Sequence, residues 1–173
     1  MPYIDHNAVH ESGHVIIALC FRIDVKEVLI KSSRKYAVRC ELFPTQTAPK
    51  AVYGMKIAGS IAVDIQNHNE NRSDDNGFGK EDDHESDASC IACLVSYWRN
   101  LGMTEDRILE FDTKMRRAVK RGLLDHWGLV EGLAVEIAKL NPSSSLDALQ
   151  IGEIVSDIEP GFFEQVKSHL VDA

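Results

Sequence analysis

The sequence predicts an α+β fold that is mainly α, and three observations carry that expectation. Long stretches repeat apolar residues at spacings of three and four, the period of a helix face packed on a core. One short region, 25–43, alternates apolar and polar residues on either side of a polar turn, the period of paired strands. An H-E-x-x-H pattern, His10-Glu11-Ser12-Gly13-His14, lies inside the first helical stretch. With 173 residues, 44% of them hydrophobic, the chain suits one ordinary domain with its own core. Residues 1–173 are therefore expected to form a single unit, 1–100 carrying the metal-binding part and 101–173 a helical tail.

The first helix is expected from about Asp5, whose carboxylate serves as cap or first-turn charge, to about Phe21. Residues four apart on a helix rise about 6 Å and return to nearly the same face, so the imidazoles of His10 and His14 can close on one metal ion. Glu11 stands beside that face, where its carboxylate can reach an activated water without displacing it. Val9, Val15, Ile16 and Leu19 flank the pair and put it on or beside a buried wall. A buried imidazole needs a partner, and a metal is a good one. Gly13 costs up to about 1 kcal/mol against alanine in a helix interior, which marks a place where substrate or a packed neighbour approaches closely.

Val25 to Lys31 and Tyr36 to Phe43 flank Ser32-Ser33-Arg34-Lys35 and read as a two-stranded antiparallel hairpin. Two strands need support, so the hairpin is expected to lie against the first helix, with an edge where an extended peptide can add as another strand. From Thr47 to His68, the residues Val52, Met55, Ala58, Ile61, Ala62 and Ile65 form a helix stripe. Gly54, Gly59 and Ser60 on that helix permit close packing against the first one. Asn67 to Lys80 is rich in Asn, Asp and Gly and reads as a surface loop, either a lid or a plain solvated segment.

An acidic cluster, 81–87, then opens a helix running from Ala88 to Asn100. Asp83, Asp87, Cys90, Leu94 and Trp98 share one side of it, so the stripe that buries Leu94 and Trp98 also turns Asp83 and Asp87 inward. His84 lies on the adjoining stripe with Ala88, Ile91 and Val95. An inward carboxylate needs a counter-charge, and a zinc ion held by two neutral histidines supplies one. Periodicity leaves Asp83, His84 and Asp87 open as the third ligand. Further helices are expected over Thr104 to Leu124, Gly128 to Leu140 and, after the break at Asn141-Pro142, Leu146 to Ile158.

The formal charge of -8 repels a phosphate backbone, so nucleic acid is not expected as a partner. No apolar run reaches eighteen residues and no secretory leader pattern opens the chain, which points to no membrane partner and a cytoplasmic location. In that setting Cys20, Cys40, Cys90 and Cys93 read as reduced, small apolar side chains, and Cys90-Ile-Ala-Cys93 as core rather than a zinc ribbon. Lys114, Arg116, Arg117, Lys120 and Arg121 form a basic run that reads as a solvated face, with a homo-oligomer contact as the alternative.

The order of H-E-x-G-H, a hairpin, a helix containing Ile57-Ala58-Gly59-Ser60-Ile61-Ala62-Val63-Asp64-Ile65, a Gly-x-x-x-Asp element and a helical tail resembles the peptidase domain of the FtsH family of zinc metalloproteases. The resemblance implies a zincin-like helix and hairpin followed by a helical bundle. It also implies His10 and His14 as the first two zinc ligands and Glu11 as the catalytic base. Gly79-Lys80-Glu81-Asp82-Asp83 is similar to the family's segment bearing the third ligand, which implies Asp83 in that role. Ser145-Leu146-Asp147-Ala148-Leu149-Gln150-Ile151-Gly152-Glu153-Ile154 resembles the family's closing pattern. Ser12 stands where the family has alanine, Asp82 where it has asparagine, and Val63-Asp64 where it has two glutamates, which leaves Asp64 as an alternative ligand. The implication is the peptidase domain alone, without the family's ATPase domain and membrane anchor.

The resulting expectation is a zinc metalloendopeptidase acting on unfolded or flexible polypeptides, with one Zn2+ held by His10, His14 and Asp83 and Glu11 as base. Three alternatives stand beside it. One is a different small H-E-x-x-H peptidase with Glu27 or Glu41 as third ligand. The others are a catalytically inactive, metal-stabilised interaction module and a helical interaction protein with no metal.

Overall fold

Asp5 opens the first helix as its position in the sequence predicts. Its backbone is extended and its side chain accepts a hydrogen bond from the Asn7 amide at 2.8 Å, satisfying a donor the helix leaves unpaired. The computed structural model describes residues 4–32, 35–41, 48–69, 83–141 and 144–168. Helix α1 spans His6–Cys20, and every residue from Ala8 to Ala18 is buried. A helix covered all round is a central one, and the rest of the fold is built about it.

Helix α2 (Pro49–Asn69) packs most extensively on α1, and its predicted stripe of Val52, Met55, Ala58, Ile61, Ala62 and Ile65 is buried as a set. Gly13 owes its place to this contact. A Cβ there would stand 2.8 Å from the Ala62 Cβ and 2.9 Å from the Ala58 carbonyl oxygen. Of the two reasons the sequence offered for this glycine, the packed neighbour accounts for it.

Strands β1 (Asp24–Ser32) and β2 (Lys35–Glu41) pair antiparallel, with Val28 opposite Val38. The expected two-stranded hairpin is in fact part of a three-stranded sheet. A third strand, β3 (Ser145–Asp147), pairs antiparallel with β1 through Leu146 opposite Val28, giving the order β2-β1-β3. The sequence placed this segment at the start of the last helix because three residues are too few to display a strand period. That helix, α6 (Ala148–Ile158), instead starts after β3 with Asp147 as its cap, in a capping box with Gln150.

Helices α3 (Asp83–Asn100), α4 (Glu105–Asp125) and α5 (Trp127–Ala138) follow the expected segments within a few residues at each end. A seventh helix, α7 (Phe162–Ser168), lies beyond the last one expected, and its Phe162 is fully buried. The core is continuous from α1, α2 and the sheet through α5 to α6 and α7. Tyr53, Trp98 and Phe111 join α2, α3 and α4 through ring contacts of 4.7 to 5.4 Å between centroids. Mainly helical with a small antiparallel sheet, the fold agrees at this level with the class read from the sequence.

The basic run lies on the exposed face of α4, where Lys114 pairs with Glu110 at 2.6 Å and Arg116 with Asp112 at 2.9 Å. All four cysteines are free, and burial pushes the thiols of Cys20 and Cys40 up to about 11. Cys93 departs from the expectation of a core side chain, because it is exposed on α3. Most of the expected loop at 67–80 falls outside the described residues, its first three positions being the end of α2. Among the described residues no helix is long and apolar enough to cross a membrane.

Candidate metal centre

One helical turn separates His10 from His14 on α1, and their ring centroids lie 4.6 Å apart with the planes nearly perpendicular. Both are buried, at 7% and 5% exposure. The Nδ1 of His14 lies 2.7 Å from the Met55 carbonyl oxygen of α2. A carbonyl only accepts, so Nδ1 carries a proton, and Nε2 is the nitrogen that faces the site, a donor when the ring is protonated and a lone pair when it is neutral. That Nε2 faces the Nε2 of His10 at 2.9 Å.

Asp87 enters from α3 and closes the group. Its Oδ2 lies 2.9 Å from the His14 Nε2 and 3.3 Å from the His10 Nε2. The three residues form a buried set able to offer one ligand atom each. Three atoms bound about 2.0–2.1 Å from a common ion, at angles between about 90° and the tetrahedral value, stand about 2.9–3.4 Å apart. The observed edges of 2.9, 2.9 and 3.3 Å fall in that range. The spacing and donor types suit one metal ion held by the three residues.

The second side of Asp87 is also engaged. Its Oδ1 accepts a hydrogen bond from the Lys56 ammonium of α2 at 2.8 Å. Burial alone would raise the Asp87 pKa, but the hydrogen bonds from His10 and His14, the His14 charge and the Lys56 ammonium hold it far below the usual carboxylate range. For His14, burial by itself lowers the pKa. The Asp87 hydrogen bond, the charges of Glu11 and Asp87 and the Met55 contact outweigh it, so the net direction is upward.

Glu11 is buried beside the group at 7% exposure, and its Oε2 accepts a hydrogen bond from the Val38 amide at 3.1 Å. Val38 belongs to β2, an edge strand of the sheet, so the hairpin and α1 meet at this carboxylate. Gly59 of α2 lies under the His10 ring, where a Cβ would come within 2.5 Å of Nε2. The Ser12 hydroxyl donates to the Ala8 carbonyl at 2.7 Å and is satisfied within its own helix.

The structure thus brings His10, Glu11 and His14 together as the sequence predicts, with Asp87 as the acid that joins them. Asp83 begins α3, one helical turn before Asp87, and its side chain lies outside the described residues, as does that of His84. Asp64 is exposed on α2 and is not one of the ligating group. Glu27 pairs with Arg39 at 2.7 Å on the sheet, and the side chain of Glu41 lies outside the described residues. Sequence reading missed Lys56. A lysine inside the small-residue helix, one position from the buried Met55, was the available signal.

No protein-family model and no curated protein matches this chain.

Proposed function

We propose that this protein is a zinc-dependent metalloendopeptidase of the zincin-like kind, FtsH-like in its motif, with His10, His14 and Asp87 as ligands. The observation that carries the reading is the convergence of three buried lone-pair atoms on one point, with the Glu11 carboxylate on the same helix beside them. Asp87 takes the third place in this proposal because its oxygen faces both imidazoles.

When bound, zinc supplies Lewis acidity that polarises a peptide carbonyl and lowers the pKa of water at its open position. Met55 holds His14 in the tautomer that keeps its Nε2 lone pair for the site. Glu11 takes a proton from the attacking water and gives it to the leaving amine as the C–N bond breaks. The Val38 amide fixes the Glu11 carboxylate between sheet and helix, so that one oxygen is anchored. His10, Glu11, His14 and Asp87 are all buried residues, which favours an extended, unfolded segment over a folded substrate.

The test is hydrolysis of an unfolded protein such as casein by the wild type and Glu11→Gln, with zinc content measured in both. The expected result is chelator-sensitive cleavage that falls by at least about 100-fold in Glu11→Gln, with zinc retained. Equal cleavage by the two proteins contradicts the proposal. A second reading, a metal-stabilised module that cuts nothing, is favoured by the hydrogen bond that commits Glu11 to the sheet edge. It predicts that zinc raises the melting temperature while no chelator-sensitive cleavage is found.

A further inference from the structure

Asp87 is gripped from two sides. Its Oδ2 faces His10 and His14 at 3.3 and 2.9 Å, while its Oδ1 binds the Lys56 ammonium at 2.8 Å. The contact is largely shielded, the Lys56 side chain being 24% and the Asp87 side chain 12% exposed. Two consequences follow from elementary electrostatics. With Oδ1 drawn to the ammonium, Oδ2 is the oxygen that faces the imidazoles, which favours one-oxygen ligation by Asp87. The ammonium also places a full positive charge one carboxylate away from the cation position, where water screens it weakly.

We propose that Lys56 is a positioning residue that doubles as a built-in competitor of the metal. It holds Asp87 in ligand geometry when no ion is bound, and it weakens divalent-cation binding enough to make the ion exchangeable. The inference rests on His10, His14 and Asp87 being the metal site. Removing the lysine charge leaves Asp87 buried with less compensation, which costs the metal-free state most. A divalent cation restores that compensation, so the neutral variant gains more from binding than the wild type does.

The test is zinc affinity, measured on the full chain by competition with a chromophoric chelator, for wild type, Lys56→Gln, Lys56→Met and Lys56→Arg. Gln keeps a donor toward Oδ1 without the charge, Met keeps the volume alone, and Arg keeps charge and donor. Zinc binding is expected to tighten at least about tenfold in Lys56→Gln, equivalent to about 1.4 kcal/mol. Lys56→Met shifts the same way, and Lys56→Arg keeps the wild-type affinity. Thermal melts supply a second readout: metal-free Lys56→Gln melts below the wild type, and zinc raises its melting temperature by more. Neutral variants that bind zinc no more tightly than the wild type overturn the role of Lys56 and leave the zinc site standing. A wild type that binds no zinc overturns both.

Discussion

His14 sits where burial and charge oppose each other, and the carboxylates of Asp87 and Glu11 decide the outcome by raising its pKa. A group whose folded pKa is raised stabilises fully below its unfolded value of about 6.5 and loses that contribution as pH climbs through the folded value. Asp87 is shifted the other way, so its contribution is present above the ordinary carboxylate value of about 3.9 and fades as pH falls through its lower folded value. Chelated, metal-free protein is therefore expected to lose melting temperature as pH rises above the ordinary imidazole value of about 6.5. A melting temperature that climbs across that window contradicts the assignment. Under the proposed zinc site, metal and proton compete for His14, so the stability gained from zinc is expected to grow over the same window, read as the difference between melts with zinc and with chelator.

At the scale of elements, the centre depends on how closely α2 can approach α1. Gly59→Ala would put a methyl 2.5 Å from the His10 Nε2, so the ring must rotate or the helices part. Overpacking of this kind costs about 1–3 kcal/mol, and zinc affinity is expected to fall with it. Denaturant unfolding and a zinc titration check this together, and an unaltered midpoint with unaltered affinity contradicts it. Much of this interface was legible in the sequence, because the period of three and four fixes which face of α2 is buried and its small residues mark close approach. The acid was legible only in part. Asp83 and Asp87 share a stripe, and a stripe fixes direction without fixing depth. Asp87 is one turn nearer the buried Trp98, and that turn brings it onto the histidines. The position of Lys56 beside the stripe was a weak signal, since a lysine flanking an apolar stripe ordinarily reaches solvent along its stem.

Over the whole molecule, the tail is part of the scaffold that carries the centre. β3 joins the sheet against β1, and Phe162 is wholly buried with its ring edge-on to His126 at 5.0 Å. Phe162→Ala is expected to cost about 3–5 kcal/mol, measured by denaturant unfolding, and a loss under about 1 kcal/mol would mean the tail is not integral. Neither β3 nor α7 could be read in advance, because three strand residues and seven helix residues are too short to display a period. The account stands on one cation bound among His10, His14 and Asp87. Zinc content after equilibrium dialysis tests it most directly, with wild type, Asp87→Asn and Asp83→Ala side by side. One zinc ion per chain in the wild type and in Asp83→Ala, with none held by Asp87→Asn, is the predicted result. A wild type that emerges free of zinc, or an Asp87→Asn variant that keeps it, contradicts the account.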